Sequence, residues 1–184
     1  MGRRRLPGGS EMRFRAWLLA TVLLFVVQPA GAADEGRGQE KKLLVHVTSL
    51  LDADSGRTAL VFRAISGALS KGSRVVLLFD AEGAATLKLG RWFGGDSTSL
   101  DRTAISRKDR ADIAVLLGTT AASLPENYGN LLRFLKGRGL KVCVNKRALE
   151  QRGIGEGQFD HAAEAVGEDK IIELLTDAAS YVTY

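Results

Sequence analysis

The sequence predicts an α/β protein, a three-layer α/β/α sandwich around a mainly parallel five-stranded sheet. Three observations carry that prediction. Short runs rich in β-branched and aliphatic residues recur at 41–48, 74–79, 140–144, 162–166 and 180–184. Segments with apolar residues at helical spacing lie between them. Glycines punctuate the joins, at Gly72, Gly90, Gly137, Gly139 and Gly153. Strands alternating with helices of about ten residues make βαβ units, which place helices on both faces of a parallel sheet.

The elements follow in order. Residues 41–48 (KKLLVHVT) read as a strand buried on both faces. Residues 49–57 (SLLDADSGR) form a loop with capping residues, and 58–69 carry Val61, Ile65, Ala68 and Leu69 on one helical stripe that stops at Gly72. Residues 74–79 (RVVLLF) are a second strand closed by Asp80, and 81–89 a short helix. The stretch 91–123 combines a charged run at 106–110 with an apolar one at 111–117, the latter expected to be helical. Pro125 is expected to open a helix over 126–136, with Tyr128, Leu131, Leu132 and Leu135 on one side. Residues 140–144 (LKVCV) give the third strand, 148–152 one or two helical turns, and 162–166 a short fourth strand. Residues 168–178 form a helix with an acidic first turn, as the macrodipole favours, and 180–184 (SYVTY) the fifth strand.

The chain has 184 residues, 45% of them hydrophobic and 26% charged, with one cysteine and two histidines. One cysteine excludes an intrachain disulfide, and with two histidines it cannot build a Cys/His zinc site, so neither metal nor cofactor is expected. The net charge of +5 sits mostly in a leader: residues 1–32 hold five of the 26 basic residues and one of the 21 acidic ones, leaving 21 and 20 in the body. A nearly neutral body gives no support to nucleic-acid binding. Arg13 and Arg15 precede a 12-residue apolar run (AWLLATVLLFVV), which leads into Ala30-Gly31-Ala32. That order is the order of a secretory signal, and the run is short of the ~20 apolar residues of a membrane span. The expected organisation is a signal peptide at 1–32, a polar linker at 33–40 and one domain at 41–184, periplasmic or secreted after cleavage near Ala32 and not membrane-bound thereafter.

Ligands of such sheets settle beyond the carboxyl ends of the strands. The loop after the first strand offers Ser49, Asp54 and Arg57 to an anion, although Asp54 or Ser55 also suits a helix cap. Asp80 and Glu82 follow the second strand, where a solvated turn is expected. The loop after the third strand, Cys143-Val144-Asn145-Lys146-Arg147, leads through a short helix to Arg152-Gly153-Ile154. Val47-Thr48-Ser49, this loop and the closing AASYVTY resemble the DsrE/DsrF-like family of sulfur-relay proteins. The resemblance implies a five-stranded α/β sandwich, assembly into trimers or hexamers, and, in active members, a persulfide on a cysteine just after the third strand.

Counting back from Arg152-Gly153-Ile154, that cysteine position falls on Asn145, while Cys143 lies within the strand. Alternation leaves both on one face. Cys143 is then either an inert core residue or a reactive thiol with Lys146 or Arg147 nearby. His46, in mid-strand, is expected to be structural. The expected function is a non-covalent binding or assembly module in a sulfur-metabolism context, with any activity expected to be that of a sulfur carrier or transferase. Ser49, Asp54, Arg57, Asn145 and Lys146 would hold a small anion or protein partner. The alternative is a sulfur carrier using Cys143.

Overall fold

The computed structural model describes residues 41–90 and 96–184; the expected leader and linker lie outside the described residues. Five strands form: β1 (Lys42–Val47), β2 (Arg74–Phe79), β3 (Lys141–Asn145), β4 (Glu164–Val166) and β5 (Ser180–Thr183). They run parallel in the order β4-β3-β2-β1-β5. The chain therefore steps outward from β1 to β4 and then returns to the opposite edge.

The helices are α1 (Ser55–Ser70), α2 (Ser99–Arg102), α3 (Arg107–Leu116), α4 (Tyr128–Lys136), α5 (Lys146–Gln151) and α6 (Glu168–Thr176). The short helix expected over 81–89 is the 3-10 helix Ala81–Leu87. The charged run at 106–110 is the first half of α3 and not a separate segment. Ser106 caps it, accepting from the Asp109 amide at 3.0 Å. Pro125 does not open α4; Asn127 does, through its side-chain oxygen and the Asn130 amide at 2.8 Å. Likewise α5 starts two residues before expectation because Asn145 caps it. The expectation for 91–123 missed α2, which a Thr98–Asp101 capping box nucleates.

The two faces of the sheet are covered unequally. Val45, Val47, Leu77, Phe79, Val142 and Val144 pack under α1, α3, α4 and α5, with Phe62 and Tyr128 in ring contact at 5.0 Å. Leu44, Val76, Leu78 and Cys143 meet Val166 and α6 alone, through Ile171 and Leu174. Strand alternation divides the residues this way, and burial of these aliphatic side chains is the main stabilising term, about 1.5–3 kcal/mol each.

A half-buried ionic group fixes α4. Arg133 donates to Asp101 at 2.6 and 3.1 Å and to Asp160 at 2.6 Å, tying α4 to α2 and to the loop before β4. The approach of α2 to α4 depends on Gly129, where a Cβ would lie 2.2 Å from Asp101 Oδ1. No helix among the described residues is long and apolar enough to cross a membrane.

Candidate functional site

Register determines what reaches the carboxyl rim on the α6 face. His46 pairs with Leu78 and Thr183, Leu78 with Cys143, and Cys143 with Glu164. These side chains make one transverse row. One step further along the strands, the same alternation places Asp80 and Asn145 side by side.

There a continuous hydrogen-bonded chain forms across four strands. The Tyr181 hydroxyl lies 2.8 Å from His46 Nδ1, and His46 Nε2 lies 3.2 Å from Asp80 Oδ2. Asp80 Oδ1 accepts from the Asn145 side-chain amide at 2.7 Å and from the Ala81 backbone amide at 2.7 Å. A carboxylate only accepts hydrogen bonds, so Nε2 carries the proton of a neutral His46 and Nδ1 is left as an acceptor. The tyrosine therefore donates to the imidazole. His46 is 12% exposed in its side chain, whereas Tyr181, on the outer strand, is 49% exposed. The chain thus has a shielded interior and one open end.

Local structure holds the chain from both sides. Ala81 has φ +43, in the left-handed region, and its carbonyl accepts from Arg152 Nε at 2.9 Å. Such a conformation costs about 1 kcal/mol in a residue with a Cβ, and here it follows directly on Asp80. Asn145 faces two ways: its oxygen caps α5 through the Arg147 amide at 2.9 Å while its nitrogen serves Asp80. Arg147 then bonds Glu168 at 2.7 Å, linking α5 to the start of α6.

The residues expected from the sequence divide into groups. Asn145 belongs to the rim chain. Ser49, Asp54 and Arg57 form their own group after β1: Asp54 caps α1 through the amides of Gly56 and Arg57, and the Arg57 guanidinium bonds the Ser49 hydroxyl. Lys146 extends into solvent, 4.0 Å from Glu150, at the mouth of a cleft of about 440 Å³ that Leu149, Ile154 and Phe159 also line.

Cys143 is 0% exposed and lies between Leu78, Val166, Ile171 and Leu174. Burial raises its pKa, with Lys141 acting in the opposite direction. The thiol is therefore not at the rim, where the sulfur-carrier alternative needs it. Ile171 and Leu174 of α6 cover it.

Sequence reading took His46 as structural and Asp80 as part of a solvated turn, and did not consider Tyr181. One signal was available: each stands on the parity of a strand that points with Leu44, Leu78 or Cys143, toward the same face. Among the described residues, no three His, Cys, Asp or Glu side chains gather as a metal site.

No family model matches the sequence, and no curated protein matches it either. Solved structures do. The chain is similar to the crystal structure of the ychN protein from E. coli, with 13% identity over 79% of this chain and 99% of that one, at a TM-score of 0.50. The shared architecture is an α/β fold with a five-stranded, all-parallel sheet. A protein of unknown function, MTH1491 from Methanobacterium thermoautotrophicum, also matches, at 13% identity over 78% and 99% of the chains and a TM-score of 0.47. At this identity the likeness to ychN is one of architecture.

Proposed function

We propose that this chain is an exported DsrE/F-like protein that binds a small polar ligand non-covalently at the carboxyl rim of its sheet, in a sulfur-metabolism context, without carrying sulfur on a cysteine. One observation carries the reading: Cys143 is sealed beneath α6, while Asn145 occupies the rim and is committed to Asp80. A persulfide carrier needs an exposed thiolate, and an asparagine amide can supply only hydrogen bonds.

Export through residues 1–32, cleavage near Ala32 and assembly of copies into a homo-oligomer belong to the same reading. The exposed Ile172 and Leu175 on α6 support the assembly.

The test has two arms. Native protein is treated with iodoacetamide, or with polysulfide, and weighed by mass spectrometry; no adduct forms without denaturant, and stoichiometric modification of the folded protein restores the carrier. Amide spectra are then followed by NMR during titration with hydrosulfide and thiosulfate, with sulfate as control. Saturable shifts at Asp80, Asn145 and Tyr181, lost in Asn145→Ala, support the reading. A rim unmoved by either probe at millimolar concentration refutes it.

A further inference from the structure

The hydrogen-bonded chain has a direction, and its open end is a phenol. We infer that Tyr181, His46 and Asp80 form a proton relay in which the Tyr181 oxygen acts as general base toward a small protic ligand, one that presents a proton of a thiol, of hydrogen sulfide or of a hydroxyl at the β5 edge. This rests on the reading of the rim as a ligand site and adds the ligand's chemistry to it.

The argument is geometric. With the imidazole neutral and its proton on Nε2 toward Asp80, Tyr181 donates its only proton to Nδ1 across the 2.8 Å contact, so its oxygen turns lone pairs alone toward solvent. A ligand there is bound as a donor. When its proton moves to the Tyr181 oxygen, the phenolic proton moves to Nδ1, and the Nε2 proton stays on the bond to Asp80. The ligand leaves as its anion and the imidazole becomes an imidazolium beside a carboxylate. No electron is transferred and no co-reactant is needed. His46 is too shielded to meet the ligand itself. Tyr181 is the group that touches the ligand; His46 and Asp80 are positioning residues behind it. Asn145 and the Ala81 amide hold Asp80 from the far side, which keeps Oδ2 on Nε2.

The experiment uses N-acetylimidazole, which reports on the same proton path. The Tyr181 oxygen attacks the acetyl carbon, the C–N bond breaks, the phenolic proton passes to His46 and the departing imidazole takes a proton from water. Acetylation at Tyr181 is timed by peptide mass mapping and compared with N-acetyltyrosinamide. Two variants separate relay from scaffold. His46→Gln accepts the tyrosine's hydrogen bond but not its proton. Asp80→Asn keeps every bond of the cluster, its oxygen serving Asn145 and Ala81. Its amide now donates to Nε2, which moves the imidazole proton to Nδ1 and turns the tyrosine into an acceptor.

The expected result is Tyr181 reacting faster than the free tyrosine amide and at least ten-fold slower in both variants, with the melting temperature of Asp80→Asn close to that of the parent. Should His46→Gln fail to fold, Asp80→Asn decides alone. Equal rates in the parent and Asp80→Asn, or a Tyr181 no faster than the free amide, overturn the relay. Rim shifts on hydrosulfide titration with unchanged acetylation would sink the relay and leave the binding reading standing. Fast, His46-dependent acetylation with an unmoved rim would do the reverse.

Discussion

Cys143 and Asn145 stand two residues apart on the same face of β3, and only Asn145 reaches the rim, where it meets Asp80 at 2.7 Å. The thiol below it should react only when the protein opens. Its labelling rate with a disulfide reagent is expected to track the unfolded population across a urea titration. Cys143→Ser, which puts a hydroxyl among aliphatic side chains, should cost about 1–3 kcal/mol, and Cys143→Ala should keep hydrosulfide binding. Labelling that is fast in buffer and indifferent to urea would contradict the burial.

The imidazole tautomer is a direct observable. Long-range nitrogen–proton correlation should show His46 protonated on Nε2 in the parent and on Nδ1 in Asp80→Asn. The same tautomer in both would mean that Asp80 does not set it.

Gly129→Ala should be among the costliest single-atom additions to this fold. The new carbon would lie 2.2 Å from Asp101 Oδ1 and 2.9 Å from the Asp101 backbone nitrogen, so α2 and α4 must separate. A loss of about 2–3 kcal/mol in urea unfolding is expected.

Acid should act through the same region. Burial by itself would raise the Asp101 pKa, but hydrogen bonds from Arg133 and Thr98 hold it below the ordinary value of 3.8. A carboxyl depressed in the folded state stabilises above its unfolded pKa and loses that contribution as pH falls through the folded one. Stability should therefore fall off below about pH 4. Arg133→Met should flatten that acid limb and cost about 2 kcal/mol at neutral pH. It strands the Asp160 carboxylate, which is 4% exposed, although the guanidinium itself is 37% exposed and partly screened. Urea melts from pH 7 to pH 3 give both numbers.

Ala81→Gly should relieve the left-handed backbone beside Asp80. The relief of about 1 kcal/mol is offset by the extra freedom of glycine when unfolded, so a gain between zero and about 1 kcal/mol is expected. A loss would show that the Cβ makes a contact worth more than the strain.

How far the sequence disclosed all this varies by residue. Residues 74–79 are read at both ends because every position from Val75 to Phe79 is buried and β-branched or bulky, with Asp80 as a hard stop. The start of α3 was hidden because charged residues fill its first turn and the apolar stripe begins only at Ile113. Asn145 could be found because it lies a fixed distance before Arg152-Gly153-Ile154, within one continuous segment. The connection among His46, Asp80 and Tyr181 could not, since what joins them is parallel register between strands distant in sequence. Apolar patterning sets that register, yet no local pattern announces it.

The crossover through α6 brings β5 home to β1 last, and with it the phenol that lies 135 residues after its histidine. As the chain folds, β1 to β4 can pair with one another before the edge strand β5 docks. Until that strand docks, Nδ1 of His46 is hydrated like any surface imidazole. A chain that stops short of Tyr181 can own most of the core, with His46 and Asp80 in it, and still lack the group that meets the ligand.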